Sequence, residues 1–329
     1  MKEPYVVVIG ASSGGIPALL ELASALPRDF AAPVLVVQHI GANRSILPEL
    51  LSKHGPNRAV HASDGDRLQR GTIFIAPPDH HMLLEGDRIT LNLGAKENHA
   101  RPAIDPLFRS AALHWGRGVI GVILSGHLDD GAAGLQAIKS CGGRAIVQDP
   151  SSALEPSMPR SALASVAVDL CVPLPEIAPA LVRMVAGAPS PEVGAPPDLV
   201  LREVEINQGI ERMENLLRIG TPSGLTCPDC GGALFELEGA RPVRFRCHTG
   251  HAFSVSSLEQ AQDDNTDQAL RSGVRALQEK EILLRRLAAV ARQTGQTSEA
   301  AAGEKRANEF RQQAAILTRL IEEEDFRSA

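Results

Sequence analysis

Short apolar runs, most of them continuous, recur through the first 186 residues: Val6–Ile9, Val34–Val37, Thr72–Ala76, Val119–Leu124, Ala145–Val147 and Val166–Leu170. Strands buried on both faces read this way, because neither face meets water. Between the runs lie stretches with three- and four-residue apolar spacing, Ile16–Ala25, Ile46–Lys53, Pro106–His114 and Gly131–Ser140, which predict helices. The succession predicts an α/β fold with a mostly parallel, doubly wound, Rossmann-like sheet. The run Ile89–Leu93 instead alternates behind a Glu85-Gly86-Asp87 turn and predicts that part of the sheet is a hairpin.

Patterning breaks at residues 187–198, GAPSPEVGAPPD, where proline, glycine and small residues leave nothing from which to build a core. Helical spacing resumes at Ile206, Ile210, Met213 and Leu217, then at Leu270, Val274, Leu277 and Leu284, and last at Phe310, Ala314, Leu317 and Ile321. The two later stretches predict a helical hairpin whose mixed, spread charges read as solvated outer faces. The expected organisation is a catalytic-type α/β domain over 1–186, a linker over 187–198, a helix with a small cysteine module over 199–258, and the hairpin over 259–329. No internal repeat is evident.

Charge narrows the partners. A formal net charge of −6 over 329 residues, with signs intermingled, gives no basic footprint for nucleic acid. No apolar run approaches the roughly 18 residues of a bilayer helix. The N-terminus, MKEPYVVVIG, leads into a strand without a signal region, so a cytoplasmic protein is expected. Of five cysteines, Cys141 and Cys171 are expected to be buried thiols, while Cys227, Cys230 and Cys247 cluster with histidines, a pattern for metal more than for disulfides.

Candidate chemistry begins at IGASSGG, which follows the first strand and opens a helix. Its Gly10-x-Ser12-x-Gly14 spacing is that of a nucleophile turn, and the amide of Ser13 is then free to face an oxyanion. The full dinucleotide-binding glycine pattern is missing, which counts against a nucleotide site. A serine hydroxyl needs a base, and the base needs an orienting group. His39 follows the buried run Val34–Gln38 and emerges at the same sheet edge as Ser12. Asp129 and Asp130 follow the strand Val119–Leu124 through SGHLDDGAAG, and either can serve as a helix cap or as the third group.

The cysteine module is readable independently. Cys227-x-x-Cys230, a sixteen-residue gap and Cys247-His248-x-x-His251 have the spacing of a tetrahedral zinc site. Cys227, Cys230, Cys247 and His251 are the favoured ligands, because the longer step gives the chain room to return to the metal; His248 is the alternative fourth. With all positions filled, the zinc is structural, stabilising a ribbon too small to hold itself together.

Through IGASSGG, VVQHI, IAPPDHHM, HARPAIDPLF, GVILSG and DDGAAG, residues 4–185 resemble the catalytic domain of the chemotaxis-type protein-glutamate methylesterases. The resemblance implies Ser12 as nucleophile, His39 as base and Asp130, not Asp129, as the acid. It implies hydrolysis of glutamyl methyl esters on receptor helices by a cofactor-free acyl-enzyme route, glutamine deamidation as a second activity, and an open cleft with His99, Arg101 and Asp105 as rim candidates. The order Ser, His, Asp also differs from that of the α/β-hydrolases.

Two departures stand out. The family's G-M-G-x-D-G is here Gly126-His127-Leu128-Asp129-Asp130-Gly131, which puts His127 at the second oxyanion position and a leucine where the family has glycine. The family's phosphoacceptor domain is expected to be absent, since the core begins at Tyr5, so an attached receiver is not the expected switch. The partner is then a methylated receptor or another protein carrying helical glutamyl methyl esters. The competing expectations are a weakened, binding-only relative acting through its tail, and an esterase for a different acyl group. The sequence leaves the oligomeric state open.

Overall fold

Seven parallel strands form the central sheet. In chain order the first unit contains β1 (Val6–Ala11), α1 (Gly15–Ala25), β2 (Val34–Gln38), α2 (Leu47–His54), β3 (Arg58–His61), β4 (Thr72–Ile75), β5 (His81–Glu85), β6 (Arg88–Asn92), α3 (Ile104–Trp115) and β7 (Val119–Ile123). There follow α4 (Ala132–Ser140), β8 (Arg144–Gln148), α5 (Ser157–Ser165), β9 (Leu170–Val172) and α6 (Leu174–Ala186). Beyond these come α7 (Asp198–Gln208), α8 (Arg212–Ile219), β10 (Gly220–Thr226), β11 (Ala233–Leu237), β12 (Arg244–Cys247), β13 (Ala252–Ser254) and the first turn of α9 (Val255–Gln293). This computed structural model describes residues 4–42, 44–189 and 194–328, so residues 190–193 of the expected linker lie outside the described residues. The chain divides into two units, Met1–Leu258 and Glu259–Ala329.

The sheet order is β3-β4-β2-β1-β7-β8-β9, with every pairing parallel. Successive side chains of β1 feed opposite cores, as the two-residue period of a strand requires. Val7 and Ile9 pack with Leu22 of α1, Leu51 of α2 and Leu181 of α6. Val6 and Val8 pack with Phe108 of α3, Ile138 of α4 and Met158 of α5. The sheet is therefore wound on both faces.

The hairpin expected within the sheet stands apart from it. β5 and β6 form their own antiparallel ribbon against α3, because β4 is already flanked by β2 and β3. The last strand begins at Leu170 and not at Val166, whose amide closes α5 by donating to Ala162. Cys141 is buried, but Cys171 is exposed, contrary to expectation, because it lies on the edge strand β9.

Within the same first unit, β10 to β13 make a four-stranded antiparallel sheet, and α7 packs on α3. The contact between module and core is charged and buried. Glu97 accepts from Arg109 (2.6 Å), Arg246 (2.7 Å) and Asn207 (2.6 Å), while Glu203 accepts from Arg244 and from Arg246 (3.1 Å). Burial alone would raise both carboxyls. The arginines outweigh it, holding Glu97 well below the usual range and Glu203 down to about 2.

The second unit is an antiparallel hairpin of the remainder of α9 and α10 (Thr297–Ser328), with Leu284, Ala288, Ala307, Ala314 and Ile321 buried. Arg285 donates to Asn308 (3.0 Å) and Lys280 lies over Phe310. No helix among the described residues is long and apolar enough to cross a membrane.

Candidate active site and metal centre

Sheet register brings the first two candidate residues together. Ala11 pairs with Gln38, so the residues that follow, Ser12 and His39, leave the carboxyl edge of β1 and β2 side by side. The amide of His39 donates to Ala11 (3.1 Å), that of Ser12 donates to Ser125 beyond β7 (3.0 Å), and the Gln38 side chain donates to the Ser12 carbonyl (2.8 Å). Gly14, at φ 71°, makes the turn into α1. Gly126 is needed for space, since a Cβ there would fall 2.8 Å from the Ser12 Cβ and 2.0 Å from Met158 Sδ.

Asp130 reaches the same point from the loop between β7 and α4. The Ser12 hydroxyl lies 3.0 Å from His39 Nδ1, and His39 Nε2 lies 2.8 Å from Asp130 Oδ2. With Nε2–H donating to the carboxylate, Nδ1 is left as acceptor for the serine proton. Asp130 Oδ2 also accepts from the Ile104 amide (2.7 Å); Oδ1 accepts from the Asp105 amide (3.2 Å), Gly131 (2.9 Å) and the Asn98 side chain (3.1 Å). Two of these amides open α3, where a helix favours negative charge. Burial pushes Asp130 upward, but His39 and these donors hold it below the usual range.

The remaining candidates are dispersed. The amides of Ser13 and His127 donate to no acceptor among the described residues, and the exposed His127 ring sits 3.5 Å from Glu155. His99 and Arg101 line a cleft of about 370 Å³ beside His39, with Lys96 and Asp79. His99 donates to the Ser257 carbonyl (2.8 Å), and Arg101 pairs with Asp79 (2.8 Å). Asp105 is not on the rim. It is 1% exposed, beneath the site, because the first turn of α3 faces α4 and accepts from the Gly134 amide (2.6 Å).

Burial and the neighbouring Asp130 push Asp105 up to about 7, against the pull of Arg109. A carboxyl raised above its unfolded value stabilises the fold while protonated, so its contribution is lost as pH rises from about 4 towards 7. Asp105→Asn should therefore raise stability at pH 8 by roughly 1–3 kcal/mol and change it little at pH 5. Equal urea midpoints for the two proteins at pH 8 would dispose of this account.

Leu128 takes φ 59°, the left-handed backbone for which the resemblance expects glycine, and its carbonyl is held by the hydroxyls of Ser157 (3.1 Å) and Ser161 (3.2 Å). A left-handed leucine costs about 1–2 kcal/mol, near what glycine would lose in chain entropy and packing. Leu128→Gly is thus expected to shift unfolding stability by less than about 1 kcal/mol, where an ordinary partly buried leucine would lose more. A loss above about 2 kcal/mol in urea titration would contradict the strain argument.

In the module, Cys227, Cys230, Cys247 and His251 bring their ligand atoms within 4.8 Å of one another. Cys230 and Cys247 Sγ are 3.7 Å apart, and His251 Nδ1 is 3.7 Å from Cys227 Sγ and 3.5 Å from Cys247 Sγ. Zinc bonds of about 2.3 Å to sulfur and 2.0 Å to nitrogen give tetrahedral edges of about 3.8 and 3.5 Å, so the donor set fits. His248, the alternative ligand, is exposed and outside the cluster: Gly250, at φ 109°, turns the chain so that His251 returns to Cys247.

Sequence reasoning missed Asn98, which touches Asp130, and Glu97 beside it. The only signal was Arg244 and Arg246 alternating with Phe245 and Cys247 on one strand, a pattern that a solvated face shares.

The family model for CheB methylesterase matches residues 7–181. A protein of Leptospira interrogans is 39% identical over 180 residues, 54% of this chain and 93% of its own length. A protein-glutamate methylesterase/protein-glutamine glutaminase of Moorella thermoacetica is 39% identical over 189 residues, 56% of this chain and 45% of that protein. The crystal structure of the Thermotoga maritima CheB methylesterase catalytic domain superposes with a TM-score of 0.54 at 31% identity, covering 56% of this chain and all of that one.

Proposed function

The chain belongs to the CheB methylesterase family, and from that premise we propose that Ser12, His39 and Asp130 hydrolyse methyl esters of glutamate side chains on methyl-accepting chemotaxis proteins. The carrying observation is the unbroken hydrogen-bond chain from Ser12 through His39 to Asp130 at the carboxyl edge of the sheet. Ser12 Oγ attacks the γ-carbonyl while His39 Nδ1 takes its proton, and Asp130 stabilises the imidazolium through Nε2–H. The amides of Ser13 and His127 face the oxyanion, each worth about 3 kcal/mol. Collapse of the tetrahedral species breaks the bond to methoxide, which takes the proton from His39 and leaves as methanol. Water, deprotonated by the same nitrogen, then attacks the acyl-serine and restores Ser12 with a free glutamate. The same steps on a glutamine side chain release ammonia.

The chemistry belongs to residues 1–186, followed by the linker 187–198, the module 199–258 and the hairpin 259–329, with the cleft beside His39 as the place for the glutamyl side chain of a receptor helix. The tetrahedral spacing supports zinc as a structural ion held by Cys227, Cys230, Cys247 and His251. A cytoplasmic location agrees with such a substrate.

The test is methanol release from a methylated receptor fragment by the full chain. Ser12→Ala should reduce it by about 10⁴-fold or more. Release that survives the substitution removes Ser12 from the mechanism, and none from the unaltered chain removes the esterase reading.

A further inference from the structure

Among the described residues Asp130 receives one side-chain donor besides His39, and that donor is tied to the cysteine-histidine module. Asn98 Nδ2 donates to Asp130 Oδ1 at 3.1 Å and lies 3.3 Å from Asp105 Oδ2. Its Oδ1 accepts from the Ser254 amide (3.1 Å) and from the Ser257 hydroxyl (2.9 Å), so both ends of the amide are engaged. Ser254 ends β13, three residues beyond His251, and its hydroxyl donates to Asp129 (2.7 Å) while accepting from the Ser257 amide (3.0 Å).

The backbone repeats the connection. The Asn98 amide donates to Ala252 (2.8 Å), the Ala252 amide donates to Lys96 (3.3 Å), and Glu97 bridges Ala252 in parallel register. Asn98 and His99 take φ 48° and 62°, a left-handed pair that needs support from outside the loop. The Glu97 carboxylate, fixed by Arg109 and Arg246, provides it from below.

We propose that Asn98 is a positioning residue for Asp130, and that the module sets Asn98 through Ser254 and Ser257, so that the cysteine-histidine module is a working part of the hydrolytic site. The inference rests on the esterase reading above. An amide held at one end by the module presents its N–H₂ to Asp130 at a fixed place, which keeps Oδ2 directed at His39. Without it, Asp130 Oδ1 loses a donor and the carboxylate turns more freely, so the imidazole is aimed less accurately at Ser12. Asn98 also lines the cleft beside His39, so its action through Asp130 is read in kcat and in the pH profile.

Asn98→Gly is the informative variant, since glycine accepts the left-handed backbone and only the amide is lost. In full-length protein with zinc content and melting temperature measured alongside, kcat for methanol release should fall about 10- to 100-fold. The acid limb of the kcat/KM profile should move to higher pH, because an Asp130 stripped of one donor holds the His39 proton more strongly. Ser257→Ala should lower kcat in the same direction, and the double variant should be no slower than Asn98→Gly, as coupled residues require.

Unchanged kcat and pH profile in Asn98→Gly would overturn the proposal, as would strictly multiplicative losses in the double variant. If Asn98→Gly fails to fold, Ser257→Ala decides alone, and its full activity would detach the module from the site. An unaltered chain that releases no methanol sinks the esterase reading and this inference with it, whereas release insensitive to Asn98 sinks the inference only.

Discussion

Asparagine in place of Asp130 is expected to slow methanol release by about 10⁴-fold, because the loss reaches beyond charge. Both carboxylate oxygens are acceptors: Oδ2 faces His39 Nε2 and the Ile104 amide, and Oδ1 faces Asn98, Gly131 and Asp105. An amide has one acceptor and one donating end, so in either orientation its N–H₂ confronts N–H groups. Turned towards His39, it drives the ring to the tautomer with a proton on Nδ1, where the serine proton has to go. Turned the other way, it leaves three donors facing an N–H₂ at a buried position. The assay is kcat for the methylated receptor fragment beside circular dichroism of the folded variant. A folded Asp130→Asn protein within tenfold of the unaltered rate would mean that Asp130 does not orient His39.

The second large effect is on stability. Glu97→Ala should cost about 3–5 kcal/mol, since it takes from Arg109 its one close carboxylate among the described residues and from Arg246 one of two, both guanidinium groups being fully buried, and leaves the Asn207 amide without its acceptor. Glu97→Gln, which keeps an acceptor, should fall between. The pH dependence carries a matching sign. Glu97 and Glu203 sit below their ordinary range, so their stabilising effect is complete above about pH 4.3 and is lost on acidification, for Glu203 as pH falls towards about 2. Acid unfolding should accordingly be steep below about pH 4.3 in the unaltered protein and shallower in Glu97→Ala. Urea unfolding measures both, and a cost below about 1 kcal/mol would show the network to be dispensable.

Much of the sheet was readable because its inner strands are apolar on both faces. β1, β2, β4, β7 and β8 announce themselves as runs such as VVVI and VLVV. β3 did not: RAVH is an edge strand with a charged end, too short and too polar for the pattern. β5, HMLLE, opens on a histidine whose burial depends on its contacts with Ala95 and Ala103, which local spacing does not encode. The positions of Ser12 and His39 were legible for a local reason, since each directly follows a strand. Asn98 and Glu97 were not, because each depends on partners about 150 residues away, Ser254 and Ser257 for Asn98 and Arg246 for Glu97. Asp105 looked like a surface acid near the motif HARPAIDPLF, and only the packing of α3 on α4 reveals it as interior.

The parallel bridge between Glu97 and Ala252 has a consequence for how such proteins can be recombined. A gene fusion that transplanted residues 1–186 by themselves would carry a cut surface: two buried acids, Glu97 and Asp105, with Arg109 as their remaining guanidinium. In this chain the module and the esterase fold thus share one buried seam. Swapping modules between relatives would require the underside of α3 and the 96–98 loop to be exchanged in the same step, and libraries of chimaeras should survive selection only where those three segments share a parent.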